Sequence, residues 1–347
     1  MINKTILSLL LFVISTPIFL FLLKTNKDYL PKIQITFTNY ENQDKFQMIQ
    51  DNFYIYKNQK KELEKNFNYS FSYKPIGYLR FKKNGKEVEF FLQETNQLFW
   101  KKEAYHYPYF EPYGNFIFGI NADRSQVEVM DVSGNLLYVL NGNFLVEVQC
   151  FEREKDPICL LLFSEGKVTF LSKTFKKDFF LNIERAFFKS FSLNKEWITF
   201  HYYKELQDYF LTYKIDFKND ISLKKQEEIF TSLVFPYTIS FCKLEKTVLF
   251  PNFNEIIKLK ENAKTIQLNP YQEELKTVET LNELSYLGSS QYLQDLCIIH
   301  NQKNLSFWSK NGNFLLNYVL NSKKSDFFYD HESLYVFLDS GYLTISF

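Results

Sequence analysis

With 347 residues, 46% of them hydrophobic and 23% charged, the chain is too apolar to be disordered and too long for a single compact sandwich. Its formal net charge is +1, and only four of its 41 basic residues are arginines (Arg80, Arg124, Arg153 and Arg185). That argues against nucleic-acid binding, which needs a phosphate-neutralising surface. The 39 Phe and 24 Tyr, set against 10 Gly and 9 Pro, lean toward pleated, half-buried strands, although an A+T-rich coding sequence would enrich the same residues.

At the N-terminus, Thr5 to Leu23 is a nearly unbroken apolar run between Lys4 and Lys24. Coiled as a helix at about 1.5 Å per residue it would span about 28 Å, close to the hydrocarbon thickness of a bilayer. Residues 1–24 are therefore expected to form a single-pass transmembrane helix, 25–32 a polar linker and 33–347 the folded domain. A cleaved signal peptide is the rival, with Val13 and Ser15 as small residues before a cut, and a buried soluble helix is a third reading. Pro17 and a second apolar stretch, Ile18 to Leu23, favour the uncleaved anchor. Lys24, Lys27 and Lys32 outnumber Lys4, which by the positive-inside rule would keep the domain in the cytoplasm. The very short leading segment is instead the layout of an export signal, and an extracytoplasmic domain is the expectation.

After the linker the chain becomes a series of short alternating strands. Ile33 to Phe37 comes first, and Asn52 to Leu63 forms a weak hairpin. Leu79 to Leu92 forms a stronger one around Asn84-Gly85. Between units lies Tyr105-His106-Tyr107-Pro108-Tyr109-Phe110, whose proline and aromatics predict a loop on one face. Tyr105, Tyr107, Tyr109 and Phe110 are thus candidate interaction residues, with packing over a gap between units as the alternative. From Asn115 to Asn143 three strands and two tight turns follow in a meander, the second turn being Ser133-Gly134-Asn135. Leu305 to Leu320 repeats that phrase around Ser309 to Asn313. The middle of the chain, 186–280, keeps the rhythm alone, and Ser222 to Phe230 and Tyr271 to Leu284 could be partly helical.

Candidate units start near 77, 110, 144, 186, 236, 283 and 325. A spacing near 40 residues built of about four strands is the length of a propeller blade. The last unit holds only three strands, and Ile33 to Phe37 is available to complete it, removing an exposed edge. The expected fold is all-β: a β-propeller of about seven four-stranded blades, closed by an N-terminal strand. Residues 46–70 would make an eighth blade if they do not join the first. A large β-sandwich or two stacked all-β domains are the rivals.

At Val127 to Asn135 and Leu305 to Asn313 the sequence resembles WD-repeat-like propellers. There a third strand ends in an aromatic or apolar residue plus Asp before a Gly turn, a dipeptide occupied here by Met130-Asp131 and Trp308-Ser309. The resemblance implies a disc with a central channel and loop-lined faces that bind other molecules.

Catalytic motifs are scarce. There is no phosphate loop, nucleophile elbow or His-Glu-x-x-His, and the Ser-x-x-Lys matches at Ser164 and Ser192 lack their companion motifs. His106, His201, His300 and His331 form no ligand spacing, and Asn121 to Ser125 starts like a calcium loop but lacks its Gly and Glu. No metal or other cofactor is expected. Trp100, Trp197 and Trp308 sit in strand-like runs and read as core. Cys150 and Cys159 would face each other across a hairpin turning at Glu154-Lys155, either as a disulfide or as two small core residues. Cys242 and Cys297 have no assignable partner. The expected function is a non-catalytic, membrane-tethered scaffold for a protein partner. The alternative is a channel that binds a glycan or small ligand, or hydrolyses one.

Overall fold

The computed structural model describes residues 33–347 apart from 41–44, 51–52, 57–58, 83–86, 104–106, 154–155, 195, 218–220, 232–240, 245–246, 252–255, 261–265, 269–274, 278–287, 294–295, 302–303, 310–311, 321–323, 331–332, 339 and 347. The anchor and linker expected over 1–32 lie outside the described residues. Among the described residues there is no α-helix, and hence no helix long and apolar enough to cross a membrane.

Alternation of buried and exposed positions sets the strands. Gln126–Met130 buries Val127 and Val129 and turns Gln126 and Glu128 outward, as a half-buried strand requires. Among the described residues the strands pair antiparallel into eight sheets, all with sequence neighbours except the first, which pairs with the last. Seven carry four or five strands and cover 68–103, 107–141, 145–180, 187–231, 242–277, 288–319 and 324–346. These are numbered blades 1 to 7. Blade 7 has three strands of its own and takes Gln34–Asn39 as its fourth, in register from Gln34 opposite Ser346 to Asn39 opposite Gly341. Residues 48–62 form a separate three-stranded sheet and do not join blade 1.

Each sheet buries its faces against the next, and the series closes on itself. Leu79, Val88 and Phe90 of blade 1 meet Phe110 and Ile117 of blade 2. Phe118 and Val129 of blade 2 meet Leu145 and Leu161 of blade 3. Leu160 and Phe170 of blade 3 meet Phe188 and Phe200 of blade 4. Blade 4 reaches blade 5 through the Glu227–Lys243 ion pair (2.7 Å) and the Phe210–Phe241 ring contact. Leu249 joins Ile299 and Trp308 between blades 5 and 6, and Phe307 joins Val336 between blades 6 and 7. Phe46 then sets its ring edge-on to Phe328, Tyr335, Phe337 and Tyr342, joining blade 7 to the short sheet. Tyr54 and Tyr56 of that sheet pack on Tyr78 of blade 1. A closed ring of radially packed meanders is a β-propeller, and closure leaves no face of a sheet without a partner.

The repeated phrase is also a repeated turn. In blade 2, Asp131 and Asn135 close a loop in which the Gly134 N–H donates to Asp131 O. In blade 6, Ser309, Gly312 and Asn313 make the same pair of bonds. Gly134 and Gly312 sit at φ 81° and 77°, the left-handed region where a Cβ is costly. A bulge between the third and fourth strands precedes both turns. Ser222–Thr231 is a strand, not a helix, and Leu275–Thr277 is a strand within the second stretch read as partly helical.

Candidate interaction surface

Contacts between sheets run mainly through the first strand of each, which places those strands around the axis. The ring is narrow there. The first strand of blade 3, Leu145–Arg153, touches that of blade 7, Lys324–Asp330, and the first strands of blades 4 and 6 also meet. Tyr73, Tyr113 and Phe328 converge on the axis, with centroids 5.3 Å (Tyr73–Phe328) and 5.0 Å (Tyr113–Phe328) apart, and all three are buried. Lys74 lies over the Tyr113 ring and pairs with Glu152 at 3.6 Å. The aromatic side chains that a binding channel would display are here packed on one another.

Beside this cluster Cys150 and Cys159 are directly opposed on the first two strands of blade 3 and are disulfide-bonded. Glu111 of blade 2 is fully buried, and its carboxylate accepts the N–H groups of Tyr113 (2.8 Å), Phe116 (3.3 Å) and Asn115. Burial pushes its carboxyl above the usual range, against the pull of those bonds. Glu111, Cys150 and Cys159 are the one group of three metal-type donors within 4.8 Å of each other among the described residues. Their sulfurs are bonded together and offer no thiolate. Cys242 of blade 5 and Cys297 of blade 6, for which the sequence offered no partner, form a second disulfide across the blade boundary.

The segment read as an aromatic loop is a strand. Tyr107–Phe110 is the first strand of blade 2 and pairs with Ile117–Ile120; Phe110 is buried and Tyr107 exposed, while Tyr105 lies outside the described residues. Pro108 fits because an innermost strand is a sheet edge, where a missing N–H breaks no ladder. Of the tryptophans, Trp308 is core and Trp100 stacks on Phe90. Trp197 is 37% exposed beneath Lys214. Asn121 to Ser125 satisfies itself as a turn: Asp123 accepts both the N–H and the hydroxyl of Ser125. His106 and His331 lie outside the described residues.

One polar constellation escaped the sequence reading. Inside blade 4, Ser190 Oγ lies 3.4 Å from His201 Nδ1. His201 Nε2 lies 3.0 Å from Asp208 Oδ1, which also takes Lys189 Nζ at 2.8 Å. Ser190, His201 and Asp208 are all buried. Burial holds the His201 imidazole below its ordinary pKa, although Asp208 opposes the shift. A serine, histidine and aspartate in this order resemble a hydrolytic triad, but here they tie three adjacent strands together inside the sheet, with the acid already neutralised by Lys189.

The ring exposes apolar side chains at its circumference instead. The outermost strands of blades 1, 2 and 6 carry exposed Leu98 and Phe99, Leu136, Leu137 and Val139, and Phe314, Leu316 and Val319; Phe37 does the same on the closing strand. Between blades 1 and 2 lies a groove of about 210 Å³ that runs across the face of blade 2 from Pro108 on its innermost strand to Leu136 on its outermost.

No protein-family model and no curated protein sequence matches the chain. Among solved structures, BamB from Moraxella catarrhalis aligns over 90% of this chain and 98% of its own, at 8% identity and a TM-score of 0.49. The β-propeller domain of Cps50 (Swd1) from Myceliophteria thermophila aligns over 81% and 96%, at 10% and 0.36. BBS1N, solved in complex with ARL6DN, aligns over 80% and 90%, at 10% and 0.40. The propeller assignment rests on this chain's own sheet order and ring closure.

Proposed function

We propose that the chain is a non-catalytic protein-interaction scaffold: a propeller tethered to a membrane by residues 1–24, with its ring outside the cytoplasm. The observation that carries the scaffold reading is the distribution of apolar surface. Most of the exposed Leu, Phe and Val side chains lie on the outermost strands, while buried aromatic side chains of blades 1, 2 and 7 pack against one another near the axis. Exposed apolar side chains grouped on neighbouring strands, as on the outermost strands of blades 1 and 2, mark sites of protein association. The aromatics that converge on the axis are buried against one another, which removes the stacking platform a glycan-binding or hydrolytic channel requires. The extracytoplasmic placement draws support from the cysteines, all four of which are in disulfides, as suits an oxidising compartment. The tether rests on the apolar run Thr5 to Leu23.

The test is to cross-link the full-length protein in its native membrane and quantify what co-purifies by mass spectrometry. One partner at near-equal amount, with protease added outside the membrane cutting the ring, is the expected result. A chain that co-purifies alone, or with a glycan, would overturn the scaffold reading.

A further inference from the structure

The groove between blades 1 and 2 has a composition that selects an occupant. Its floor is a row across three strands of blade 2, where Gly119 lies opposite Pro108 on one side and Glu128 on the other. Gly119 has no side chain and Pro108 a compact one, so space is left at the level of the Glu128 carboxylate. The walls are Trp100 from blade 1 and Met130 and Leu136 from blade 2. Trp100 is held in place: it stacks on Phe90 with centroids 5.6 Å apart and donates its indole N–H to Val132 O at 2.9 Å. Lys102, the cation at the groove, already donates to the carbonyl oxygen of Gly134. Among the described residues the Glu128 side chain makes no hydrogen bond or ion pair. Its strand neighbour across the register, Val139, is exposed, as is Leu137 beside it.

We propose that this groove binds an arginine side chain presented by an apolar stretch of the partner, with the guanidinium on Glu128. The inference rests on the scaffold reading above and names the chemistry that the partner must offer. An arginine stem is apolar along its methylenes and matches the walls formed by Trp100, Met130 and Leu136. Its planar fork meets a carboxylate with two parallel N–H bonds, and Glu103 adds a second negative charge at the groove. The exposed Leu98, Phe99, Leu137 and Val139 on either side receive the apolar neighbours of that arginine.

The test uses the full-length protein in detergent and a fluorescein-labelled pentapeptide with arginine flanked by leucines. The same peptide carrying neutral, isosteric citrulline is the comparison. Wild type is expected to bind the arginine peptide about tenfold more tightly than the citrulline peptide, the size of one charge-assisted pair. Glu128→Gln, which keeps the side chain's shape at a half-exposed position, should erase that preference while leaving the circular dichroism spectrum unchanged. Equal binding of the two peptides, no binding of either, or a preference that survives Glu128→Gln would overturn the proposal. Cross-linking separates it from the scaffold reading. A partner captured equally by wild type and Glu128→Gln discards the groove and keeps the scaffold, whereas a wild-type ring that captures nothing discards the scaffold itself.

Discussion

Blades 2 and 4 reach the same four-stranded form by different means. In blade 2 the last hairpin is held at the surface: Asp131 Oδ1 accepts the Asn135 N–H at 2.8 Å, and Gly134 takes the left-handed conformation without strain. In blade 4 the strands Trp197–Lys204 and Gln207–Asp216 meet at Glu205 and Leu206, both with positive φ and neither a glycine or asparagine. That blade is secured from inside. Thr199 and Thr212 share a hydrogen bond of 3.0 Å, and Ser190, His201, Asp208 and Lys189 form a chain of contacts across three strands. One blade is specified by a local turn, the other by polar groups that meet only once the register is set.

The sharpest way to break this comparison is to remove one aspartate from each blade. Asp208→Ala strands Lys189 and His201 in the interior, and loss of one partner from a buried charged network costs about 3–5 kcal/mol. Asp131→Ala removes bonds at an exposed turn and should cost about 1 kcal/mol. Urea denaturation of the two variants measures both, and equal losses would mean that the network in blade 4 contributes no more than a turn.

A pH titration sharpens it further. Glu147 of blade 3 faces blade 4 and accepts the Phe191 N–H at 3.1 Å; burial pushes its carboxyl up to about 7, against the pull of the Gln149 and Phe191 bonds. Its folded pKa lies above the ordinary 4.5, so the folded chain holds this proton more tightly than the unfolded one. The resulting stability is complete below about 4.5 and is lost as pH rises through about 7. His201 is displaced downward, so its contribution is complete above its ordinary 6.5 and is lost as pH falls below that. Thermal melts of Glu147→Gln should flatten the alkaline decline and leave the acid one. An unaltered alkaline limb would remove Glu147 from the account.

The same contrast separates what the sequence disclosed from what it did not. Seven blades, their approximate starts and the closing strand were legible because alternation and Gly-centred turns such as Ser133-Gly134-Asn135 are local signals. The short sheet at 48–62 is ambiguous in sequence, since three brief strands carry too little periodicity to distinguish a blade from an extension of one. In Tyr107–Phe110 the sequence signal of Pro108 is that of a loop, and only the segment's place on an innermost edge makes a strand compatible with proline. The pairing of Ser190 with His201 depends on a register that slips by one residue near Phe188, which no spacing rule anticipates. The groove was invisible for the same reason: Trp100 and Glu128 are joined by the packing of two blades, not by sequence.

The disulfides extend the contrast between local and long-range constraint at smaller scale. Cys150–Cys159 closes a separation of 9 residues within one blade, and Cys242–Cys297 closes 55 across two. By loop-closure entropy alone the first is worth about 2.6 kcal/mol and the second about 4 kcal/mol, a difference of about 1.5 kcal/mol in favour of the bridge between blades. Paired Cys→Ala variants compared by denaturant unfolding should reproduce that order. The reverse order would mean that the axis depends on its bridge more than the blade boundary does.

The smallest effect should come from the turn between the second and third strands of blade 4. Leu206 holds φ 64° and is 77% exposed, so its side chain contributes little packing while its Cβ crowds the backbone. Leu206→Gly removes that crowding but loosens the unfolded chain, and the two effects leave a net gain of about 1 kcal/mol where the native φ is positive. In blade 2 the corresponding turn, between the second and third strands, holds Arg124 at φ 60°, whereas Gly134 carries the positive φ of the last turn, and Gly134→Ala there should lose a similar amount. Denaturation midpoints moving in opposite directions for the two variants would show that blade 4 tolerates a strained turn because its interior network fixes the register. If Leu206→Gly is instead destabilising, the leucine is held by a contact that outweighs its strain.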